Sequence, residues 1–229
     1  MATAIHAVSS MATRALMGEL FQHWTEHHAP AATVESVGGV EALRRVRTGE
    51  AFDVAILSSD AISALQTEGW VAPSGAVPLV ESCVAMAVRM GAELPTVSTE
   101  AQLRDAVLNA GSIGYSTGPS GVALQKLFQR WGIEDAVRDK TVQAPPGVPV
   151  GSLIADGRVE LGFQQYSELM HIEGLQVIQR MPPGTEVTTI FSAAINKESP
   201  NLEQARRLLS FLCSPDTTAT KLRHGMAAA

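Results

Sequence analysis

Short apolar runs and segments with helical periodicity alternate along most of this chain. Ala4–Val8 is an apolar run typical of a buried strand, and Thr33–Val37 and Phe52–Leu57 predict two further strands. The helices predicted after these strands are Met11–His28, Val40–Thr48 and Ala61–Glu68. This βαβαβ order predicts a parallel sheet with right-handed crossovers.

A second alternating set follows the long apolar run Val77–Val88, which ends before Gly91 and Pro95. Its predicted strands are Ser112–Tyr115, Thr141–Gln143 and Leu161–Gln164, and its predicted helices are Thr99–Asn109, Ser120–Trp131 and Val148–Ala155. The β-branched run Thr188–Ile195 predicts another strand. The last two predicted helices are Asn201–Phe211 and Asp216–His224, and the alanine tail after them is expected to fray.

The fold class that these elements predict is α/β, with two lobes that each hold a mainly parallel sheet flanked by helices. Residues 1–84 with 192–229 form the first predicted lobe, and residues 85–191 form the second. Val77–Val88 and Thr188–Ile195 are the two crossover hinge strands, and we expect hinge closure around a ligand. Ligands of open α/β sheets bind at the carboxyl ends of the strands.

Three predicted strands run through serine into a helix. These junctions are Ser9-Ser10, Ser58-Ser59 and the turn that leads to Ser120, which we expect to cap its helix. The first amides of a helix lack partners within it, and the helix dipole is positive there, so such a junction can hold an anion. One junction would mean little, but three favour a cleft built for a small anion.

Charge and composition exclude several function classes. The net charge of −6, without a Lys/Arg-rich stripe, argues against nucleic acid. Membrane insertion is not expected, because no apolar run approaches the roughly 20 residues that span a bilayer. The sequence has no Walker loop, Rossmann glycine fingerprint, Cys–His metal set or nucleophile elbow, so we expect no cofactor and no metal. Cys83 and Cys213 predict a pair of buried free thiols, and we expect a monomer.

The start of the chain bears on where the protein works. Met1 is followed within three residues by the first predicted strand, which leaves no charged region or apolar core of a signal peptide. As written, the sequence predicts a cytoplasmic protein, and a periplasmic one if a signal peptide has been removed. An ABC permease would be a partner only of the exported form.

Several short motifs, in their order and spacing, resemble the type II periplasmic binding proteins, in particular the molybdate-binding branch. The resemblance covers nearly the whole chain, and its motifs are Ala7-Val-Ser-Ser-Met, Phe52-Asp-Val-Ala-Ile-Leu-Ser-Ser-Asp60, Gly118-Pro-Ser-Gly121 and Phe211-Leu-Cys-Ser-Pro215. It implies that Ser10 and Ser120 contact a bound oxyanion, one from each lobe.

Two departures from that branch argue against molybdate as the ligand. Val37-Gly38-Gly39 stands where the branch has a Ser-rich turn, and Gln165 stands where it has a Tyr ligand. The segment Glu160–Glu168 and the sequence His224-Gly-Met are instead similar to a divergent branch that includes aconitate isomerase, an enzyme built on this scaffold. The resemblance therefore implies cofactor-independent isomerisation of an unsaturated carboxylic acid. The alternative is a solute-binding role in an ABC transporter for molybdate-like oxyanions or organic acids.

The candidate site residues follow from these junctions and from the resemblance. Tyr115 and Glu168 are the candidate acid/base groups, and the alternative for Glu168 is a stabilising role in the first turn of a helix. Gln165 either donates to a ligand oxygen without adding charge or makes a structural hydrogen bond. The ligand-binding candidates are Ser9, Ser10, Gly39, Ser58, Ser59, Ser120, Gly121, Gly147 and Gln165, with Gly147 offering a backbone N–H from a rigid turn.

Overall fold

The computed structural model of the chain describes residues 3–229, except for the side chains of residues 73 and 74. The chain forms two compact units. Unit 1 is Met1–Ser82 with Ile190–Ala229, and unit 2 is Cys83–Thr189. Two long strands, β4 (Val71–Arg89) and β9 (Thr188–Asn196), contribute residues to both units.

Strands and helices alternate in the predicted order. The elements up to β4 are β1 (Ile5–Ser10), α1 (Arg14–His27), β2 (Ala32–Val37), α2 (Gly39–Arg47), β3 (Val54–Ser58) and α3 (Ser59–Thr67). Between β4 and β9 lie α4 (Glu100–Asn109), β5 (Ile113–Tyr115), α5 (Pro119–Trp131), α6 (Glu134–Val137), β6 (Thr141–Gln143), α7 (Val150–Ala155), β7 (Leu161–Gln165), α8 (Tyr166–Leu169) and β8 (Leu175–Ile178). The chain ends with α9 (Leu202–Leu212), α10 (Thr218–Arg223) and β10 (Ala227–Ala228). The short elements α6, β8 and β10 were not predicted, and the short helix α8 begins two residues before Glu168, where a first helical turn was one of the two alternatives.

Unit 1 is built on three parallel strands. β1 lies between β2 and β3 and is parallel to both, while β9 is antiparallel to β3. The helix α1 buries the apolar face that its 3.6-residue period predicts, which consists of Leu16, Met17, Leu20, Phe21 and Trp24. Because β1, β2 and β3 are parallel, their carboxyl ends meet at one edge, and the helices that follow them begin there.

The chain end of unit 1 corrects one expectation. Ala227 and Ala228 pair with Glu81 and Val80 of β4 in an antiparallel ladder. The prediction that the alanine tail frays is wrong, because the edge of β4 supplies backbone hydrogen-bond partners that no sequence pattern reveals.

Unit 2 repeats the parallel arrangement. β5 is parallel to both β6 and β7, and β4 is antiparallel to β7 and β8. The helix α7 packs directly on this sheet, since a Cβ at Gly162 would lie 2.5 Å from the Cδ1 atom of Ile154. The carboxyl ends of β5, β6 and β7 share one edge, and α5, α7 and α8 follow them.

The two cysteines differ from the prediction. Cys83 and Cys213 are free, as expected, but both are exposed. On β4 the neighbours Ser82 and Val84 are buried, and strand alternation turns the side chain between them to the other face. Cys213 follows the last residue of α9.

Candidate functional site

Unit 1 brings serine-bearing helix starts together at the carboxyl edge of its parallel strands. β1 ends at Ser10, β3 ends at Ser58, and α3 begins at Ser59. Ser10 and Ser58 occupy N-cap positions, and within the described residues neither side chain makes a capping hydrogen bond. Among the described residues, the Ser10 hydroxyl has one hydroxyl neighbour, that of Thr13, at a long 3.5 Å. Both serines can therefore bond to a ligand oxygen at this edge.

Ser9 and Ser59 make close hydroxyl pairs. Ser9 is fully buried, and its Oγ lies 2.6 Å from the Oγ of Ser36 on β2. The Oγ of Ser59 lies 2.7 Å from the Oγ of Ser192 on β9. Ser9 thus joins two strands inside the unit, whereas the half-buried Ser59 fixes the start of α3 against β9.

Gly39 lies at the same edge of unit 1. It is the first residue of α2, and a Cβ placed on it would lie 3.9 Å from the Cβ of Ser10. The first turn of α2 therefore presents bare backbone beside Ser10, and the N–H groups of that turn lack partners within the helix.

The start of α5 in unit 2 corrects the prediction for Ser120. The N-cap is Gly118, with Pro119 first in the helix, because proline has no N–H to satisfy and its φ suits a helix start. Ser120 is buried in the first turn, and its Oγ lies 2.9 Å from the Oγ of Ser116. Ser116 in turn accepts the N–H of Gly118 at 3.2 Å. The hydroxyl that bonds to the turn before α5 therefore belongs to Ser116.

Gly121 has a steric role in the same turn. A Cβ on Gly121 would lie 1.8 Å from the carbonyl oxygen of Ser116. The turn can pack against the helix only because this position has no side chain, so Gly121 fixes the path of the chain from β5 into α5.

Gln165 carries an unpaired buried atom at the end of β7. The side chain is buried, and its Nε2 donates to the hydroxyl of Thr189 at 2.8 Å. Its Oε1 is the buried side-chain oxygen in the described part of the chain that has no hydrogen-bond partner. A hydroxyl can donate or accept, so the amide can turn either its oxygen or its NH₂ group toward a ligand. Unpaired buried polar atoms are uncommon and often mark functional positions.

Glu168 lies on α8, directly after β7. Its Oε1 accepts a hydrogen bond from Nε2 of Gln164 at 2.7 Å. Burial raises the pKa of Glu168 to about 7, and the hydrogen bond from Gln164 opposes part of that rise. A carboxyl group with this pKa exists in both protonation states at neutral pH, which suits a group that accepts and returns a proton.

Tyr115 and Gly147 are the remaining candidate residues of unit 2. The Tyr115 hydroxyl accepts a hydrogen bond from Nε2 of Gln125 at 3.1 Å, and the ring packs against the apolar cluster that contains Leu124 and Phe128. Gly147 has φ +79° in an exposed turn. The described residues give Tyr115 and Glu168 no hydrogen bond to each other.

Two cavities lie away from the candidate residues. A cavity of about 600 Å³ in unit 2 is lined by Glu160 and Leu161, at the opposite end of β7 from Gln165. A cavity of about 410 Å³ in unit 1 lies beside Leu209 and Cys213. Neither is lined by a predicted site residue.

The sequence pattern did not predict several hydrogen-bond partners of the candidate site residues. Ser36, Ser116, Thr189 and Ser192 bond to the predicted residues, as described above. Ser36 and Ser192 each lie within a predicted strand, and only for Ser192, in the run Ile190-Phe-Ser-Ala-Ala-Ile195, was a polar residue in an apolar run the available signal. The pairing of Thr189 with Gln165 had no signal, because 24 residues separate them in sequence.

Within the described residues, no helix is both long enough and apolar enough to cross a membrane, and no three His, Cys, Asp or Glu side chains are grouped as a metal site would require.

The fold is shared with solved binding proteins. A periplasmic molybdate-binding protein of Azotobacter vinelandii matches 97% of this chain and 98% of its own, with a TM-score of 0.81 and 16% identity. A sulfate-binding protein of Mycobacterium tuberculosis matches 98% of this chain and 86% of its own, with a TM-score of 0.77 and 15% identity. At these identities the likeness shows the fold alone, and the predicted type II periplasmic binding protein fold is confirmed.

Sequence comparison gives a nearer relative. An aconitate isomerase of a Pseudomonas species is 35% identical over 173 residues, which cover 75% of this chain and 66% of the relative. The match thus spans slightly less than two thirds of that relative's length. A family model described as bacterial extracellular solute-binding protein matches residues 5–227. That match covers nearly the whole chain, and the chain belongs to this family of bacterial extracellular solute-binding proteins.

Proposed function

We propose that this chain binds a small unsaturated carboxylic acid and isomerises it by moving a proton, without a cofactor. The observation that carries the proposal is the partly buried carboxyl of Glu168, whose pKa is raised to about 7, three residues after Gln165, whose amide oxygen is buried without a partner in the described chain. The 35% identity to an aconitate isomerase supports the same reaction class.

Each unit has neutral polar groups at its strand ends that suit a ligand carboxylate. In unit 1 these are the hydroxyls of Ser10, Ser58 and Ser59 and the backbone at the start of α2. In unit 2 they are the amide of Gln165 and the first turn of α5, while Gly147 offers a backbone N–H. Because neither Arg nor Lys is among these residues, helix N-termini would offset the ligand charge.

The proposed reaction is a 1,3 proton shift. Ionised Glu168 takes a proton from the saturated carbon next to a carboxylate, and the electron pair of that C–H bond forms a new double bond to the neighbouring carbon. The old double bond opens, and its electrons move onto its far carbon and the carboxylate there. Protonated Glu168 then returns the proton to that far carbon, and N–H groups at helix starts stabilise the charge as it develops.

Glu168 is preferred over Tyr115 as the acid/base group. The Tyr115 hydroxyl already accepts from Gln125, and its ring belongs to the apolar cluster under α5. Glu168 can take up and release a proton near neutral pH without further help, since its pKa is about 7.

The test is isomerisation itself. Purified protein is incubated with cis-aconitate and, separately, with trans-aconitate in deuterated water, and proton NMR follows the isomer ratio and the deuterium content. We expect interconversion toward one common ratio, with deuterium entering the methylene or vinyl position. If neither isomer ratio nor deuterium content changes with an acid that the protein demonstrably binds, the isomerase proposal fails.

A second candidate is ligand binding without chemistry. The family description favours it, as does the fold shared with a molybdate-binding protein. In that case the chain would act outside the cytoplasm as the solute receptor of an ABC permease. Calorimetry that shows tight binding of molybdate or an organic acid, together with no isomerisation, would favour this role.

A further inference from the structure

Gln164 links three elements of unit 2 through one side chain. Its Oε1 accepts the backbone N–H of Val150, the first residue of α7, at 2.8 Å. Its Nε2 donates to Oε1 of Glu168 on α8 at 2.7 Å. The side chain itself is 2% exposed at the end of β7. Gln164 therefore has a defined partner at each end of its amide.

These two bonds fix the direction of the amide. Rotating it by 180° would place NH₂ against the N–H of Val150 and a carbonyl oxygen against the carboxylate of Glu168. Both new contacts would be repulsive, because two donors or two acceptors would then meet. The orientation that places an N–H on Glu168 is thus imposed by a backbone group that cannot change its own role.

The fixed amide also distinguishes the two oxygens of Glu168. Oε1 faces an N–H donor, so it must act as an acceptor in either protonation state of the carboxyl. When Glu168 is protonated, the proton therefore resides on Oε2. Only Oε2 is left to exchange a proton with another molecule.

We infer that Gln164 is the positioning residue of this site: it aims the Glu168 carboxyl and reserves one oxygen, Oε2, for proton exchange with the substrate. This inference rests on the proposed function for the substrate, while the arrangement of Gln164 and Glu168 stands independently of it. The bond also favours the ionised form of Glu168 against the effect of burial. Gln164 thereby keeps part of the carboxyl ready to act as a base at neutral pH.

The first experiment measures Glu168 directly, without any substrate. The protein is labelled with carbon-13 at the glutamate side-chain carboxyls, and the Glu168 signal is the one missing in Glu168→Gln. In Gln164→Met, which keeps the length and removes the donor, we expect the titration midpoint of Glu168 to rise by about one pH unit. Gln176→Met is the matched control, since Gln176 donates to the carbonyl of Ala92 and not to the site.

The second readout is the pH profile of isomerisation of cis-aconitate. With its titration midpoint one unit higher, Glu168 would be about one-tenth ionised at pH 7 instead of about half, so kcat of Gln164→Met should fall about fivefold there and recover at higher pH. A purely structural effect would lower kcat equally at every pH. An unchanged Glu168 midpoint in Gln164→Met would overturn the inference, whatever the activity.

A further variant guards against misfolding. Gln164→Glu keeps an acceptor for the N–H of Val150 but, when ionised, offers no donor to Glu168. Because two carboxyls in contact share a proton, we expect the last proton of the pair to leave at a higher pH than the Glu168 proton does in Gln164→Met. If wild type isomerises nothing but both variants raise the midpoint, the proposed reaction fails and the positioning of Glu168 stands.

Discussion

Gln165 donates through Nε2 to the hydroxyl of Thr189 at 2.8 Å, and this bond leaves its Oε1 buried without a partner in the described chain. A buried acceptor without a donor is unfavourable for the folded protein. A ligand carboxylate cannot donate to this oxygen, but the amide can turn so that the Thr189 hydroxyl donates to Oε1 and the NH₂ group faces the ligand. We therefore expect the pair Gln165–Thr189 to link the stability of unit 2 to binding of the proposed ligand.

Replacing Gln165 should separate binding from stability. Gln165→Met fills similar volume and removes the unpaired oxygen, so we expect the urea unfolding free energy to stay within about 1 kcal/mol of wild type. The affinity for cis-aconitate, measured by calorimetry, should fall at least about tenfold because a hydrogen bond to a charged ligand is lost. A variant that binds as wild type does would show that Gln165 is structural.

Glu168 should make stability depend on pH. The pKa of folded Glu168 is about 7, above that of a glutamate in the unfolded chain, so the folded state binds the proton more tightly between about pH 4.5 and pH 7. The stability that Glu168 contributes is complete below the unfolded pKa and is lost as pH rises through 7. The unfolding free energy of Glu168→Gln minus that of wild type should therefore be about 2 kcal/mol larger at pH 8 than at pH 5. Urea unfolding at both pH values tests this, and equal differences at the two values would contradict it.

Much of the fold could be predicted because its cause is local. Buried strands such as Val54–Ser58 are mostly continuous apolar runs, and α1 has a clear helical period. Both elements can therefore be predicted from the sequence pattern. Ser120 was assigned wrongly as a cap because Gly118 and Ser120 are both acceptable there, and Pro119 decides between them. The partners of Ser9, Ser59 and Gln165 lie on other strands, and only the sheet register brings them together. The pKa of Glu168 depends on burial, which no local pattern reports.

The turn before α5 should not tolerate a side chain at Gly121. Gly121→Ala would place a Cβ 1.8 Å from the Ser116 carbonyl oxygen, so the turn must move. We expect a loss of about 3 kcal/mol in unfolding free energy. The control is Gly18→Ala on the exposed face of α1, where a Cβ meets nothing within 4 Å, and where helix propensity predicts a gain of about 0.5–1 kcal/mol. A Gly121→Ala protein as stable as wild type would contradict the described packing.

The serine junctions of unit 1 should contribute to ligand affinity. Ser10→Ala and Ser59→Ala each remove a hydroxyl at the carboxyl edge of the parallel strands, and each should weaken binding of cis-aconitate about fivefold. Ser63→Ala, on the exposed side of the same helix α3, should leave binding unchanged. If all three variants bind alike in calorimetry, the anion is not held at this edge.

Glu168 is the group that we propose moves a proton on the bound carboxylic acid. Wild type, Glu168→Gln and the control Gln176→Met are each incubated with cis-aconitate in deuterated water, and NMR records the rate of deuterium incorporation. We expect incorporation with isomerisation in wild type and in Gln176→Met, and incorporation at least about a hundredfold slower in Glu168→Gln while binding persists. Equal incorporation by wild type and Glu168→Gln would contradict it.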